Sequence, residues 1–224
     1  MPPSESFFQL EPAARFISIE GGEGAGKSSC IEYIKQRLAA AGIDCIVTRE
    51  PGGTPMAEDI RQLLLAHRDE IVDPYTELLL VFAARRQHVQ NVIRPALKAG
   101  QWVICDRFTD ASFAYQGAGR GLDTEFISQL KHAVHGDLNP HMTLLFDLDI
   151  AIGMARAGKR ADFDRIETEA MSFFERVRQG YLAQAQAEPQ RYRVVDAAQS
   201  ITQVEQQVSG FLTPLINNFI QAKA

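Results

Sequence analysis

One glycine-rich segment, Gly21 to Ser28, constrains the fold of this chain more than any other feature. Its sequence, GGEGAGKS, satisfies the pattern G-x-x-x-x-G-K-[ST] and stands between an apolar stretch at 15–20 and an amphipathic one at 31–38. Glycines let the backbone curl until its N–H groups, and the N-terminus of the helix that follows, face phosphate oxygens. The segment therefore predicts a strand, a phosphate-binding loop and a helix. A glycine-rich turn with a solvated lysine is the alternative interpretation.

Short β-prone segments alternate with longer helical ones along the rest of the chain. This alternation favours a parallel sheet covered by helices on both faces, with ligands bound outside the carboxyl ends of the strands. We therefore predict an α/β chain of the P-loop NTPase fold, with a five-stranded parallel sheet and a short lid segment. The strands are predicted at 15–20, 44–48, 102–106, 143–148 and 191–195, and the helices at 27–41, 55–67, 74–99, 123–135, 150–157, 164–187 and 200–221.

Length and charge limit the classes of protein that remain. A chain of 224 residues with 46% hydrophobic residues can fill one core, so we predict a single domain over 15–224, with its lid at about 156–164, after a loose tail at 1–14. The net charge of -5 argues against broad binding to nucleic acid or to an anionic membrane. The longest apolar run, at 78–84, is far shorter than the roughly 20 residues that span a bilayer. Three cysteines without CxxC spacing favour a reduced cytoplasm over a disulfide or zinc framework.

The phosphate loop and the end of the third predicted strand supply a candidate donor site. We expect Lys27 to reach the outer phosphates of a nucleoside triphosphate and the Ser28 hydroxyl to bind Mg²⁺. Asp106 is a candidate for orienting that Mg²⁺ or its waters, although an aspartate at a strand end is often a helix cap. The predicted nucleotide-binding residues of this segment are Gly21, Gly22, Glu23, Gly24, Ala25, Gly26, Lys27, Ser28 and Ser29.

Two arginines follow neighbouring predicted strands. Arg49 comes after the second strand and Arg107 after the third, so both side chains are expected at the ligand crevice. A guanidinium binds phosphate oxygens in a planar, bidentate way, and two of them suit a second phosphate. A surface ion pair is the alternative for either arginine. The guanine-reading NKxD element of switch GTPases is absent from the sequence, and the chain is short for a transport ATPase.

These motifs, taken together, match a known family. From about residue 15 to 213 the chain resembles the thymidylate kinases of the bacterial type, most specifically in its combination of REPGGT, DRF and AYQG. The resemblance implies transfer from MgATP to the 5′-phosphate of dTMP, which gives dTDP. It also implies that Arg49 and Arg107 hold the acceptor phosphate. The matching segments are the phosphate loop, 49–54, FAARRQ at 82–87, DRFTD at 106–110, AYQG at 114–117 and DRIE at 164–167.

The resemblance further implies that an aromatic side chain and an arginine, on the helix after the second strand, bind thymine. Phe82 and Arg85 are the candidates, and their spacing puts them on one helical face. Many family members separate the two residues by four positions, which leaves Val81 with Arg85, or Phe82 with Arg86, as alternatives. The other implied dTMP-binding residues are Pro51, Ser112, Tyr115 near the sugar, Gln116 at the base edge and Glu23 at the 3′-hydroxyl.

The catalytic positive charge is expected from the hydrophilic stretch after residue 148. Taken alone, its cluster of basic residues is typical of a solvated loop, but the resemblance implies a lid over ATP. Related enzymes carry an arginine in the phosphate loop or in the lid, and the loop here holds Glu23. The resemblance therefore implies that Arg160 is the principal catalytic cation. Arg156 is the second candidate for that role and is also predicted to bind ATP. The predicted catalytic residues are Lys27, Arg49, Arg107 and Arg160.

Three classes of function remain for this chain. The first is a thymidylate kinase, for which the resemblance implies a homodimer. The second is a kinase for another nucleoside monophosphate or for a deoxynucleoside, and a nucleoside kinase would need a general base for its neutral hydroxyl acceptor. The third is a non-catalytic nucleotide-binding regulator, which would not require the cluster of lid cations.

Overall fold

The sheet of this chain is built from five parallel strands, as predicted. The structure, a computed structural model, describes residues 15–158 and 164–223. The predicted tail at 1–14 and the central part of the predicted lid, 159–163, lie outside the described residues. The strands are β1 (Phe16–Gly21), β2 (Cys45–Arg49), β3 (Trp102–Asp106), β4 (Met142–Asp147) and β5 (Tyr192–Asp196), in the spatial order β2-β3-β1-β4-β5.

Helices cover both faces of this sheet. Two short π-helical segments interrupt them, Val89–Ile93 between α3 and α4 and Phe113–Gly119 after α5. The helices are α1 (Lys27–Ala40), α2 (Pro55–Leu65), α3 (Pro74–His88), α4 (Arg94–Lys98), α5 (Thr109–Ser112), α6 (Thr124–His135), α7 (Ile150–Ala157), α8 (Met171–Ala187) and α9 (Ile201–Lys223). Within the described ranges, every helix is too short or too polar to cross a bilayer.

Apolar side chains fasten the helices to the two faces. On one face, Leu38 of α1 and Leu212 of α9 are fully buried in the cluster that contains Ile19 of β1. On the other face, Ile93 packs in a cluster with Val103 of β3. Burying one such side chain contributes about 1.5 to 3 kcal/mol. The two apolar layers therefore hold the sheet rigidly and fix the edge at which its strands end.

Strand register brings the carboxyl ends of β1, β2 and β3 to one edge. Arg49 lies opposite Asp106 in the β2–β3 pair, and Asp106 lies opposite Ile19 in the β1–β3 pair. The residues that follow these strands are the phosphate loop, the REPGGT segment and the DRF segment. The expectation that the motifs meet at one sheet edge is therefore confirmed.

The helix predicted at 164–187 is wrong at its start, because the helix begins at Met171. The carboxylate of Asp164 accepts the backbone N–H groups of Ile166 and Glu167, at 2.8 and 2.9 Å. The Glu167 carboxylate accepts the N–H of Asp164 in return, at 2.9 Å. These hydrogen bonds form a compact turn at 164–167, which takes the place of the predicted first turn of the helix. The helical segments at 109–119 were not predicted, and the other predicted bounds lie within two residues of those observed.

Candidate active site

The predicted phosphate loop lies between β1, which ends at Gly21, and α1, which begins at Lys27. Gly24 and Gly26 have φ angles of 70° and 82°, a left-handed conformation that costs glycine little. A side chain on Gly24 would also bring its Cβ within 2.2 Å of the carbonyl oxygen of Gly153 in α7. The loop is therefore braced by α7, and the helix N-terminus that follows it favours an anion.

The Lys27 ammonium lies inside this loop. Its Nζ donates to the carbonyl oxygens of Gly21 and Gly22, at 3.1 and 2.7 Å. Burial, and then the positive charge of Arg107, lower the pKa of Lys27 from 10.5 to about 8. An anionic phosphate would replace these neutral carbonyl acceptors with negatively charged oxygens.

Two adjoining cavities begin at the loop. The first has a volume of about 570 Å³, and the second, about 410 Å³, extends between α1 and the start of α9. Arg156 lines both cavities and donates to the carbonyl oxygen of Ala197 at 2.9 Å. Together they have the size of a nucleotide site. The structure brings Glu23, Gly24, Ala25, Gly26, Lys27, Ser28, Ser29 and Arg156 together around the first, which we call the phosphate cavity.

Ser28 and Asp106, the two predicted metal-binding residues, both line the phosphate cavity. The Oδ1 atom of Asp106 is buried and has no hydrogen-bond partner among the described residues. In that same part of the chain, no group of three or more His, Cys, Asp or Glu side chains is placed to hold a metal ion by itself. Mg²⁺ usually binds through one or two carboxylates together with substrate phosphates and water. The two residues therefore fit a magnesium ion that arrives with a nucleotide.

The backbone at Arg107 is held in an unusual conformation. Its φ of 67° is uncommon for a residue other than glycine. Its N–H donates to the carbonyl oxygen of Ile19 at 3.0 Å, and the N–H of Phe108 donates to the buried carboxylate of Glu20 at 2.7 Å. The end of β1 thereby fixes the direction in which the Arg107 side chain leaves β3.

The Arg107 guanidinium stands between the phosphate cavity and a smaller cavity, and it lines both. It donates to the Glu23 carboxylate at 2.5 Å and to the carbonyl oxygen of Gly21 at 3.0 Å, and it lies 4.9 Å from the ring centroid of Tyr115. Burial opposes its charge, yet the oxygens of Tyr115, Tyr181 and Glu23 raise the pKa of Arg107 well above its ordinary value. The side chain is therefore a fixed cation at the junction of two cavities.

Arg49 lines the phosphate cavity from the β2 side. Its side chain is 54% exposed, and Nη2 donates to Glu58 of α2 at 2.9 Å. The Glu58 carboxylate also accepts the N–H of Gly53 at 2.9 Å, and this hydrogen bond, with that from Arg49, lowers the pKa of Glu58. Arg49 thus forms the surface ion pair that was the alternative interpretation, and it also lines the cavity, as expected for a phosphate-binding arginine.

The smaller cavity, about 110 Å³ in volume, lies on the far side of Arg107. Most of its wall surface is apolar and comes from side chains such as Leu64 and Phe108, although more than half of the lining residues also carry a polar or charged group. A pocket with a mainly apolar surface is suited to a planar ring. We call it the acceptor cavity. The predicted dTMP-binding residues on its wall are Glu23, Pro51, Arg85, Arg107, Ser112, Tyr115 and Gln116.

Phe82 is not on this wall. Its side chain is 2% exposed and packs in a core cluster with Leu78 and Ile127, while Val81 lines the acceptor cavity. The Phe82 ring lies under the guanidinium of Arg85, with 4.6 Å between its centroid and Cζ. Of the alternatives left open by the sequence, the structure brings Val81 and Arg85 together at the cavity.

Arg85 is held by a buried network. Its guanidinium donates to Glu50 at 2.6 Å, to the Ser112 hydroxyl at 2.9 Å and to the carbonyl oxygen of Phe108 at 3.2 Å. The Glu50 carboxylate also pairs with Nδ1 of the buried His88, at 2.9 Å. Sequence reasoning did not assign Glu50 or His88, although Glu50 belongs to the REPGGT segment and His88 lies three residues after Arg85.

Arg61 is a third residue that sequence reasoning missed. It lies on α2, lines both the phosphate cavity and the acceptor cavity, and donates to the carbonyl oxygen of Pro51 at 3.0 Å. Burial and the charge of Arg49 lower its pKa. An arginine on an amphipathic helix carries no motif of its own, so the tertiary structure alone reveals it.

The lid residues are only partly described. Arg160, the predicted catalytic cation, and its neighbour Lys159 lie outside the described residues. After this gap, Arg165 donates to the carbonyl oxygen of Leu64 at 2.8 Å and to the Glu77 carboxylate at 2.6 Å. Arg165 is therefore an anchor of the segment that follows the lid.

Comparison with known proteins agrees with this geometry. The model of the thymidylate kinase family matches residues 19–208 of the chain. The chain is 56% identical over 197 residues to a thymidylate kinase of Alcanivorax borkumensis, with 88% of this chain and 95% of the relative covered. It is also 56% identical over 201 residues to a thymidylate kinase of Ectopseudomonas mendocina, with 90% and 96% covered.

A solved structure shows the same architecture. The crystal structure of thymidylate kinase from Ehrlichia chaffeensis superposes with a TM-score of 0.72 at 34% sequence identity. The match covers 90% of this chain and 99% of that one. The P-loop NTPase fold predicted from the sequence is therefore confirmed.

Proposed function

The chain belongs to the thymidylate kinase family, and we propose how its residues share the transfer of the γ-phosphoryl group of ATP to dTMP. The products are dTDP and ADP, a step in dTTP synthesis. One observation carries the proposal: Arg107 and Glu23 line both the phosphate cavity and the acceptor cavity. The two phosphates that react must meet where these cavities join.

The phosphate loop holds the donor. Lys27 binds the outer phosphates of ATP, and its ammonium exchanges the carbonyl oxygens of Gly21 and Gly22 for phosphate oxygens. Arg156 lies beside the nucleotide in the second cavity. The backbone N–H groups of the loop and the N-terminus of α1 complete the anion site.

Ser28 and Asp106 hold Mg²⁺ that accompanies ATP. The unpartnered Oδ1 of Asp106, on the wall that Ser28 shares, supports this role. When bound, the ion neutralises charge between the transferred group and the leaving group. Ser28 and Asp106 would hold the ion at the wall of the phosphate cavity.

Arg107 and Arg49 bind the acceptor phosphate. Arg107 is positioned rigidly by its backbone bonds, whereas Arg49 reaches the cavity from an exposed strand end. Glu23 accepts a hydrogen bond from the 3′-hydroxyl of dTMP, and Tyr115 lies against the sugar. Pro51 completes the wall on this side.

Thymine occupies the acceptor cavity. Val81 supplies an apolar surface, Arg85 and Ser112 present hydrogen-bond donors, and Gln116 reads the base edge. The 5-methyl group is recognised by apolar contact alone, which is worth about 1 to 3 kcal/mol.

The reaction needs positioned positive charge more than it needs a base, because a phosphate monoester is already ionised. Lys27 and Arg107 supply two of the cations from fixed positions. Arg160 supplies a further cation to the transferred group when the lid covers ATP. This assignment rests on the sequence resemblance.

Two copies of the chain associate as a homodimer. Large hydrophobic side chains are exposed on α2, on α3 and on the loop between them, and a protein–protein interface is the usual explanation of such a surface. Both helices pack at the acceptor cavity, so an interface there would also rigidify the site. These side chains are Met56, Leu63, Ile71, Tyr75 and Leu79.

The compartment is the cytoplasm. All three cysteines are free, and a thiol-bearing chain without disulfides is typical of a reducing compartment. The acidic net charge of -5 agrees with small-molecule substrates in preference to nucleic acid or membrane.

A coupled assay of ADP release, with dTMP, dUMP, dGMP, AMP and UMP as acceptors, tests the proposal. We expect dTMP to have the highest kcat/KM, about 10- to 200-fold above dUMP, because one methyl group separates the two. A preference for dUMP or for a purine nucleotide would show that the acceptor cavity binds another base.

A further inference from the structure

Gln116, the residue proposed to contact the edge of the base, donates a hydrogen bond to a buried carboxylate on the side away from the acceptor cavity. Its Nε2 donates to Oε1 of Glu77 at 2.9 Å, and the two residues are 4% and 1% exposed. Of the two, only Gln116 lines the acceptor cavity. Glu77 belongs to α3, one helical turn after the Asp73 cap. The Glu77 carboxylate therefore contacts Gln116 but not the acceptor cavity itself.

Two arginines keep Glu77 ionised. Arg120 donates to it through Nε and Nη2, at 3.2 and 3.1 Å, and Arg165 donates through Nη2 at 2.6 Å. Burial alone would raise the pKa of Glu77, but the hydrogen bonds from Arg120, Gln116 and Arg165 outweigh it and lower the pKa. An ionised carboxylate accepts hydrogen bonds and donates none.

This charge determines which way the Gln116 amide faces. Since Glu77 only accepts, Gln116 must turn its NH₂ group inward, and its Oε1 is left for the cavity. We propose that Glu77 is the positioning residue that presents the Gln116 carbonyl oxygen to the N3–H group of thymine and so selects thymine over a cytosine ring. The inference rests on the proposed function, whose acceptor cavity binds the base.

The selection follows from the chemistry of the two rings. Thymine carries a hydrogen-bond donor at N3, whereas cytosine carries an acceptor there. To bind cytosine, Gln116 would have to turn over and bring its own oxygen against the Glu77 carboxylate. Two acceptors without a proton between them repel, so the ionised Glu77 opposes this orientation.

Glu77→Gln tests the inference, because the change should reverse the orientation of Gln116. Nη2 of Arg120 and Nη2 of Arg165 both donate to Oε2 of Glu77, so the oxygen of the new amide takes that place and its NH₂ group takes the place of Oε1, toward Gln116. The longer bond from Nε of Arg120 to Oε1 is given up in this arrangement. Gln116 then accepts on its inner side and presents NH₂ to the base. The acceptors to compare are dTMP and 5-methyl-dCMP, which share the methyl group and differ at N3 and C4.

We expect kcat/KM for 5-methyl-dCMP relative to dTMP to rise at least about tenfold in Glu77→Gln, which corresponds to about one reversed hydrogen bond. Glu169→Gln is the matched control, because Glu169 also pairs with Arg120, at 2.5 Å, and no hydrogen bond joins it to Gln116 in the described structure. This control should leave the ratio within twofold of the wild-type value. An unchanged ratio in a folded Glu77→Gln protein would overturn the inference.

A measurement on the wild-type protein covers the case in which Glu77→Gln does not fold. In protein labelled with ¹⁵N-glutamine and free of nucleotide, the side-chain amide protons of Gln116, assigned with Gln116→Met, should exchange with water at least about tenfold more slowly than those of exposed glutamines such as Gln36. Exchange at the exposed rate would overturn the inference. If the wild-type protein fails to phosphorylate dTMP, the proposed function fails instead, and the two failures are thus distinguishable.

Discussion

The Nη2 atom of Arg107 lies 2.5 Å from Oε1 of Glu23, so the residue assigned to the acceptor phosphate is paired with the residue assigned to the acceptor's 3′-hydroxyl. Both side chains are partly buried, with 17% and 23% exposed. The proposed roles predict that the phosphate of dTMP replaces Glu23 as the partner of Arg107, and that the Glu23 carboxylate then accepts from the hydroxyl. One substrate would therefore satisfy both residues at once.

Removing the positive charge of Arg107 should weaken the binding of dTMP far more than it weakens the binding of thymidine. Arg107→Met keeps an unbranched stem without the guanidinium, and loss of one partner of a desolvated charge pair costs about 2 to 5 kcal/mol, or at least about 30-fold in Kd. Thymidine lacks the phosphate, so its Kd should change less than about threefold by the same account. Isothermal titration with both ligands measures this, and equal weakening of the two would contradict the phosphate role.

Binding of ATP should take up a proton near pH 8.5. Burial lowers the pKa of Lys27 to about 8, so most of the nucleotide-free protein carries a neutral lysine at that pH. The phosphates of ATP favour the charged form, so Lys27 gains a proton on binding, and the Kd for ATP should rise roughly tenfold or more between pH 7 and 9.5. Calorimetry in buffers of different ionisation enthalpy measures the uptake. Lys27→Met should abolish it, and uptake that persists in this variant would assign the proton elsewhere.

The close contact between Gly153 of α7 and the phosphate loop should be disrupted by a single added methyl group. A Cβ on Gly153 would lie 2.6 Å from the carbonyl oxygen of Glu23, whereas one on Gly210, within α9, would meet nothing within 4 Å. Gly153→Ala should therefore lower the free energy of unfolding by about 1 to 3 kcal/mol and weaken ATP binding. Gly210→Ala should raise the free energy of unfolding by about 0.5 to 1 kcal/mol and leave the Kd for ATP unchanged. Urea unfolding and ATP titration check both, and similar behaviour of the two variants would exclude the brace.

The positions of the strands and of the phosphate loop along the chain could be predicted because their signals are local. Apolar runs, glycine positions and the G-x-x-x-x-G-K-[ST] spacing are all properties of neighbouring residues. The choice between Val81 and Phe82 could not be made in this way, since both are apolar and one helical step apart. Only the packing of Phe82 against Leu78 and Ile127 turns Val81 toward the cavity.

Residues whose role depends on distant partners were also beyond the sequence. Glu77 meets Arg165, 88 positions later in the chain, and Arg61 reaches two cavities from a helix with no motif. The turn at 164–170 was predicted as helix, because its charged residues fit a helical pattern. The reciprocal bonds between Asp164 and Glu167 stop that helix from beginning there.

Arg160 should be required for turnover and much less for binding of dTMP. A cation that stabilises the transferred phosphoryl group is worth about 10³ to 10⁵ in rate, so Arg160→Ala should lower kcat by that range. Arg156→Ala, in contrast, should mainly raise KM for ATP, because Arg156 lines the nucleotide cavities. Steady-state kinetics separates the two effects, and near-normal kcat in Arg160→Ala would reject the catalytic role.

A charge on the exposed face of α3 should separate the two copies of the proposed homodimer. Leu79 is 50% exposed on α3, and Ile220 is 47% exposed on α9, so the two offer matched positions. Sedimentation equilibrium should give twice the chain mass of 24.9 kDa for the wild type and for Ile220→Glu, and the single mass for Leu79→Glu. A monomeric wild type would contradict the proposed homodimer. A dimer that persists in Leu79→Glu but is lost in Ile220→Glu would place the interface on α9 in preference to α3.

The fate of the γ-phosphoryl group tests the central claim most directly. ATP labelled in that group with ³²P is incubated with dTMP and Mg²⁺, and the products are separated by chromatography. The account predicts that the label appears in dTDP, in amounts equal to the ADP formed. Label in inorganic phosphate, or formation of ADP without dTDP, would contradict it.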